Sequence, residues 1–439
     1  MEKCVVVWFR KDLRIVDHEP LYRASCERLP ILPIYIFDPQ QFTQTAYGFP
    51  KTGLHRVRFL LESLDGLHQQ LQARGLSLCT RWGSPEEVFQ QLRNQYNFTQ
   101  IFYSTALGSE EEAQVQRVEQ AMGQHVSLHA CWTHTLLTPE TLPFPISQVP
   151  DVFTVFRQQV ERQWTVREAW PNLAYGLSLQ NPPESVTPSL AKLGFASDQH
   201  TLPDPRTVFP FRGGPAAAEA RLRAYLDETH AIRTYKQTRN GLLGTDYSSK
   251  FSPYLSLGSL SPRMIYEKIK AYEREWGGND STYWLVFELL WRDYFVFVHR
   301  KYGNRIFQKH GIQGHDVLSR DKLAGHVFNP KQHADWMEGN TGEPFVDANM
   351  KELRLTGFMS NRGRQVTASY YVSVLHQDWR VGAAWFESCL IDYDVSSNYG
   401  NWMYVAGVGN DPRPNRFFHP VKQARMYDPQ GEYVKQWLT

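Results

Sequence analysis

The chain has 439 residues, 42% of them hydrophobic and 21% charged, with a formal net charge of only +2. That length calls for two domains, or one domain with a large attached lobe, and that charge excludes a whole-molecule field as the source of any attraction to nucleic acid, leaving a local basic patch. No apolar run approaches the roughly 20 residues of a membrane helix, and the start MEKCVVVWFRKDLR has neither a secretory nor a transit character, so a cytoplasmic chain with no membrane contact, acting as a monomer, is expected.

Short apolar runs alternate with amphipathic stretches from residue 4 to about 130: VVVWF, ILPIYIF, a helix-like segment from His55 to Gln72, LSLCTRW, a helix, IFYST, a helix and VSLHA. This rhythm predicts an α/β N-terminal domain over 1–130, a doubly wound parallel sheet of Rossmann-like kind. No GxGxxG follows a strand, so a nicotinamide-type fingerprint is absent and a cofactor site is expected elsewhere. Residues 131–210 are rich in Pro, Ser and Thr, with a helix-like piece near Val152 to Arg167, and form a connector. Residues 211–439 carry a helical period almost throughout, with helix starts at Ser252-Pro253 and Ser261-Pro262, where Ser caps and Pro takes the first turn. An all-α C-terminal domain follows. Five cysteines, Cys4, Cys26, Cys79, Cys131 and Cys389, form no CxxC pair and are expected to be buried and reduced, with no metal site and no disulfide framework.

Aromatic residues make up 14% of the chain, 13 of them Trp, and their positions matter more than their number. On the helix predicted from Ser281 to Arg300, Trp284, Glu288, Trp291 and Phe295 fall on one stripe, so that a carboxylate sits inside an aromatic face. Buried Glu needs a partner. The stripe alone favours a core Glu held by a nearby Arg such as Arg292 over an acid at the wall of a cavity for a flat heterocycle. The segment Tyr247-Ser248-Ser249-Lys250-Phe251-Ser252-Pro253 places three serine hydroxyls and an ammonium at a helix mouth, which suits a pyrophosphate but also an ordinary cap. Polar groups gather again in Asn361-Arg362-Gly363-Arg364 and from Ile391 to Trp402, where an apolar helical context tolerates them only if they pair with one another or with a polar ligand.

Several long motifs occur in a fixed order: WFRKDLR, Tyr235-Lys-Gln-Thr-Arg239, SSKFS, FELLWRDYF, EPFVDANMKELRLTGFMSNRGRQ and FESCLIDYDVSSNYGNW, closing with YDPQGEYVKQWL. Together they resemble the photolyase and cryptochrome superfamily, and DANM, SNRGRQ and NYGNW resemble its cryptochrome DASH group. The resemblance implies a light-driven FAD flavoprotein. By residue, it implies that Tyr235, Ser248, Ser249, Lys250 and Ser252 hold the phosphates and ribityl chain, with Arg239 and Arg292 close by. Asn361 would contact the folded cofactor, Arg364 and Asp392 would pair beside the ring, Asp394 would meet its edge, and Asn398 would face its redox-active nitrogen. Glu288, Trp291, Gln365 and Tyr404 would touch a cyclobutane pyrimidine dimer in DNA, flipped from a duplex or taken from a single strand, the latter preferred. Phosphate contacts would come from Lys351, Arg354, Arg362, Arg413, Arg416, Lys422 and Arg425.

The chain departs from that pattern in three places. Trp402 and Trp379 match the inner members of a tryptophan chain that re-reduces flavin, but the outer position is His326, which predicts slow photoreduction or a route through a nearby Tyr. A methenyltetrahydrofolate antenna is usual in the group and uses a Glu after the IFYS-like strand, where Leu107 stands here, with Glu110, Glu111 and Glu112 a turn later. The chain also stops at Thr439, where relatives continue for some tens of residues. Two other readings stay open: an FAD photoreceptor that binds nucleic acid without repair, and a helical nucleic-acid-binding scaffold with no cofactor.

Overall fold

The computed structural model describes residues 1–196, 202–313, 327–410 and 417–439. Five strands, β1 (Glu2–Phe9), β2 (Ile31–Phe37), β3 (Cys79–Trp82), β4 (Tyr96–Ser104) and β5 (Ser127–Cys131), pair in parallel in the order β3-β2-β1-β4-β5. This is the doubly wound sheet expected from the alternating pattern, and its crossovers carry α1 (Glu19–Cys26), α2 (Leu54–Gln72), α3 (Pro85–Arg93) and α4 (Ser109–Met122). Side chains alternate across a strand. In β1, Val5, Val7 and Phe9 therefore join Val57, Leu60 and Leu64 of α2, while Val6 and Trp8 join Phe89 of α3 and Val118 of α4.

Beyond β5 the chain crosses to the helical half through α5 (Phe153–Arg162), five residues shorter at its C-terminal end than the pattern suggests. Tertiary bonds end it: Trp164 Nε1 donates to Tyr266 Oη at 2.8 Å and Ala169 N donates to Glu267 at 2.8 Å, drawing the chain across the next helices. The irregular stretch after it runs back along the sheet, where Val186 N donates to Thr80 O and covers the edge of β3.

The rest is helical: α6 (Pro215–Arg223), α7 (Tyr235–Thr238), α8 (Ser252–Leu257), α9 (Pro262–Trp276), α10 (Asp280–Tyr302), α11 (Pro330–Glu338), α12 (Pro344–Thr356), α13 (Asn361–Ser373), α14 (Trp379–Cys389), α15 (Val395–Ala406), α16 (Pro420–Tyr427) and α17 (Glu432–Leu438). Ser261 caps α9 as expected, accepting from Met264 N at 3.0 Å. Ser252 does not cap α8: it is already helical, Phe251 precedes it, and the turn is made by Lys250 in the left-handed region at φ 61°. Cys26 is exposed at the end of α1 and Cys389 is partly covered, so only Cys4, Cys79 and Cys131 are buried as expected. No helix of the described residues is long and apolar enough to cross a membrane.

The WFRKDLR segment joins the halves. Leu13 N donates to Leu257 O at 2.9 Å, and Arg14 Nη1 donates to Gly258 O at 3.0 Å. Gly258 has φ +73° and a Cβ there would lie 2.3 Å from Lys11 O, so both its conformation and the contact require glycine. Arg263 of α9 holds Asp17 at 2.9 Å and donates to Thr135 O at 2.9 Å, with both charged side chains sealed from solvent. Asp293 of α10 accepts from Leu136 N and Leu137 N, and burial pushes its carboxyl up to about 7.

Burial by itself would raise the Asp17 carboxyl, but the neighbouring Arg263 and Arg14 hold it below the usual carboxylate range. Its stabilising contribution is therefore present above the unfolded value of about 3.9 and is lost as pH falls through the lower folded value. Arg263→Leu leaves Asp17 buried without its ion-pair partner, and urea denaturation at neutral pH should show a loss of about 3–5 kcal/mol, with the deficit shrinking in acid.

Candidate functional site

Helices α7, α8, α10, α13, α14 and α15 surround a cavity of about 470 Å³ in the helical half. One wall is α10, whose start is set by a capping box: Asn279 accepts from Ser281 N and Thr282 N, and Thr282 Oγ1 accepts from Asn279 N. That start is one residue earlier than the pattern suggests. The helix presents Glu288, Trp291, Arg292 and Phe295 to the cavity. Trp284 of the same stripe lies outside it, with Arg239 and Lys236 over its ring. Trp291 is held by Phe153 of α5, stacked at 3.7 Å and 15°, and meets Tyr404 of α15 edge-on at 6.5 Å.

Glu288 is paired, but not with Arg292. Arg239, at the end of α7, donates to its carboxylate at 2.5 Å, whereas Arg292 donates to His134 O and lies 4.0 Å from Asp394. Residues four apart on one helix share a face without having to meet, and the guanidinium arriving from α7 takes the shorter approach. Burial raises the Glu288 carboxyl above its ordinary value, a shift that Arg239 resists.

The opposite wall is polar. Arg364 of α13 donates to Asp392 Oδ2 at 2.8 Å and to Met359 O at 3.0 Å, forming the expected ion pair. Asp394 caps α15 through Ser397 N at 2.8 Å; burial by itself would raise its carboxyl, but Arg292 and that N–H hold it below the usual range. Asn398 Nδ2 donates to Ala383 O at 3.0 Å, which leaves the carbonyl oxygen of its amide for another partner.

The floor is the Tyr247–Ser252 loop. Arg221 of α6, 5% exposed, donates to Ser249 O at 3.0 Å, to Ser248 O and Thr245 O, and to Asp246 at 2.6 Å. Lys250 Nζ lies 3.0 Å from the Tyr247 ring centroid and donates to Ser248 Oγ at 3.2 Å; burial pushes its ammonium well below the usual lysine value.

Of the residues expected at the site, Tyr235, Arg239, Ser248, Ser249, Lys250, Ser252, Glu288, Trp291, Arg292, Asn361, Arg364, Gln365, Asp392, Asp394, Asn398, Trp402 and Tyr404 all line this cavity. Trp379 does not. It starts α14, donates to Lys309 O at 2.9 Å and packs on Tyr399 at 6.2 Å. Of the basic residues, Arg362 lines the cavity while Lys351 and Arg354 do not; Lys422 and Arg425 are exposed on α16. His326, Arg413 and Arg416 lie outside the described residues. Sequence reasoning missed Arg221, whose role exists only once α6 docks behind the loop, and left Tyr247 without a site role although it stands inside the quoted segment.

Asp392 Oδ1, Gln365 Oε1, Tyr247 Oη and Trp402 Nε1 are buried without a hydrogen-bond partner, and all four residues line the same cavity. Such groups call for a ligand with matching donors and acceptors, and an aromatic-walled cavity with a hydroxyl-rich floor fits FAD. Arg221→Met should strip the loop carbonyls of their donors, lowering stability by about 1–3 kcal/mol; urea titration, with limited proteolysis between residues 243 and 250, checks it.

Both halves of the chain match known proteins. A family model described as FAD binding domain of DNA photolyase matches residues 284–439, and one described as DNA photolyase matches residues 5–174. The chain is similar to the cryptochrome DASH of Synechocystis sp., 46% identical over 99% of this chain and 87% of the relative, and to that of Xenopus laevis, 47% identical over 99% and 82%. The Synechocystis cryptochrome crystal structure superposes with a TM-score of 0.93 at 45% identity, covering 100% of this chain and 89% of that one. A class III photolyase from Agrobacterium tumefaciens gives 0.83 at 25% identity, covering 100% and 87%. With its parallel-sheet domain, its helical FAD-binding domain and this cavity, the chain belongs to the cryptochrome DASH group of the photolyase and cryptochrome superfamily.

Proposed function

We propose that the chain repairs cyclobutane pyrimidine dimers in DNA under blue or near-ultraviolet light, with single strands preferred. The observation that carries this reading is one shared cavity: Glu288, Trp291, Gln365 and Tyr404 stand on the wall of the space that also contains the Arg364–Asp392 pair and the serine loop.

Bound FAD, in its reduced form, supplies light absorption and a single electron for the dimer. Tyr235, Ser248, Ser249, Lys250 and Ser252 would hold its phosphates and ribityl chain, with Arg239 and Arg292 close by. Asn361 would contact the folded cofactor, Arg364 and Asp392 would flank the ring, Asp394 would meet its edge, and the Asn398 amide oxygen would face its redox-active nitrogen. Trp402 and Trp379 would return electrons to an oxidised cofactor.

Glu288 would hydrogen-bond the pyrimidine carbonyl and amide groups. A lesion that binds there competes with Arg239 for the carboxylate. Trp291, held rigid by Phe153, offers a stacking face. Arg362 at the cavity and Lys422 and Arg425 on α16 supply cations for phosphates. A dimer inside a duplex must first be extruded, at a cost of a few kcal/mol, and the single ring of Tyr404 returns less stacking energy than an indole would.

Between the two halves, a smaller space of about 80 Å³ is lined by Arg10, Lys11, Arg56, Glu111 and Tyr393. Glu111 is committed to Lys11 at 2.9 Å, and Leu107, where the group usually has its antenna-binding Glu, is buried. These residues do not fit a folate antenna, and we assign none.

Reduced, FAD-loaded protein illuminated with dimer-containing oligonucleotides should restore thymines in single strands about tenfold faster than in intact duplex, a gap of roughly 1.4 kcal/mol. Equal rates would contradict the preference. Glu288→Gln should lower the repair yield per absorbed photon while DNA affinity holds; an undiminished yield would remove Glu288 from the chemistry.

A further inference from the structure

Trp402 of the cavity wall is packed by Phe386 of the same wall at 5.1 Å and, behind it, by Tyr371 at 6.0 Å and Trp336 at 6.2 Å. Trp336 and Tyr371 lie 4.5 Å apart. All are buried, Trp336 and Tyr371 at 0% exposure and Trp402 at 2%. The Tyr371 hydroxyl is hydrogen-bonded to Nδ1 of His333 at 2.8 Å, and His333 is itself 2% exposed. Neither Tyr371 nor His333 touches the cavity, and packing alone would be served as well by a phenylalanine and a leucine.

A phenol becomes a useful one-electron donor when its proton can leave together with the electron. Sealed from water, Tyr371 can release that proton only to a base already in contact. His333 is such a base: burial holds its imidazole down to about 4, so the ring is neutral near pH 7, and with its own proton on Nε2 it presents Nδ1 to the phenol. The same burial pushes the phenol above its ordinary value, so the proton stays on oxygen until the ring is oxidised.

We propose that Tyr371, hydrogen-bonded to His333, is a proton-coupled electron donor to Trp402. The inference rests on the reading that FAD occupies the cavity beside Trp402. Trp402 gives one electron to the light-excited oxidised flavin. Tyr371 then gives one electron to the Trp402 radical cation while its O–H bond breaks and the proton forms an N–H bond at Nδ1 of His333. The products are a restored indole, a neutral tyrosyl radical and an imidazolium, so the positive charge has moved from Trp402 to His333. In the dark the electron returns and the proton goes back to the phenolate oxygen.

The test is flash photolysis of the full chain carrying oxidised FAD, followed by transient absorption and electron paramagnetic resonance. Flavin absorbance is recorded first for every variant, so that failure to bind FAD, which would sink the cofactor reading, is separated from failure of the donor. Flavin-loaded wild type should give a neutral tyrosyl radical whose formation slows in D₂O. Tyr371→Phe should retain flavin and stop at a tryptophanyl radical. His333→Gln, which keeps a polar contact but removes the base, should slow tyrosyl formation about a hundredfold, the usual range for losing a positioned proton acceptor. A flavin-loaded wild type that yields no tyrosyl radical, an unchanged tyrosyl signal in Tyr371→Phe, or an unchanged rate in His333→Gln overturns the proposal. Should Tyr371→Phe fail to fold, the D₂O comparison and His333→Gln decide it.

Discussion

A buried polar atom without a partner costs about 1–3 kcal/mol, and the helical half gathers several such atoms around one space. Asp392 Oδ1, Gln365 Oε1, Tyr247 Oη and Trp402 Nε1 are all left without partners there. The neighbouring side chains cannot relieve them, because they are already committed: Arg364 to Asp392 Oδ2 and Met359 O, Asn398 Nδ2 to Ala383 O, Asp394 to the start of α15. The facing wall carries Trp291 and Phe295, and its charged groups are committed too, Glu288 to Arg239 and Arg292 to His134 O. A flat heterocycle edged with alternating donors and acceptors resolves this conflict, and ligand binding then contributes to the stability of the fold itself.

The sheet domain contributes by holding that cavity in shape. Asp17 and Arg263, both sealed from solvent, lock α9 to the segment after β1, and Asp293 fastens the back of α10 to residues 136 and 137 while the front of the same helix carries Glu288 and Trp291. One helix thus faces residues 136 and 137 with a buried carboxylate and the cavity with a half-buried one. Two carboxyl groups five residues apart, both raised by burial, differ in partner: backbone N–H groups for Asp293, a guanidinium for Glu288.

Much of this was legible in the sequence because it depends on local pattern. Short apolar runs with amphipathic helices between them specify a parallel sheet, and β1 to β5 fall where VVVWF, ILPIYIF, LSLCTRW, IFYST and VSLHA predict. The cavity residues were legible through long motifs in order. What escaped depends on distant elements meeting. The partner of Glu288 comes from α7, 49 residues away, so a search along its own helix finds Arg292 instead. Arg221 lies in an Ala-rich helix with no feature that marks it as the support of the serine loop. The Ser252-Pro253 pair has the composition of a cap, yet the strained Lys250 makes the turn and displaces the cap by one residue. His333, Trp336 and Tyr371 sit in helices that look ordinary until packing brings α11 and α13 against α15.

The central claim is that FAD fills the cavity and satisfies its stranded polar atoms. Absorbance of the purified, undenatured protein, with the chromophore released by heat and identified by mass, tests this most directly. The account predicts a flavin spectrum and FAD at about one molecule per chain. A colourless protein that takes up no FAD on reconstitution would contradict it.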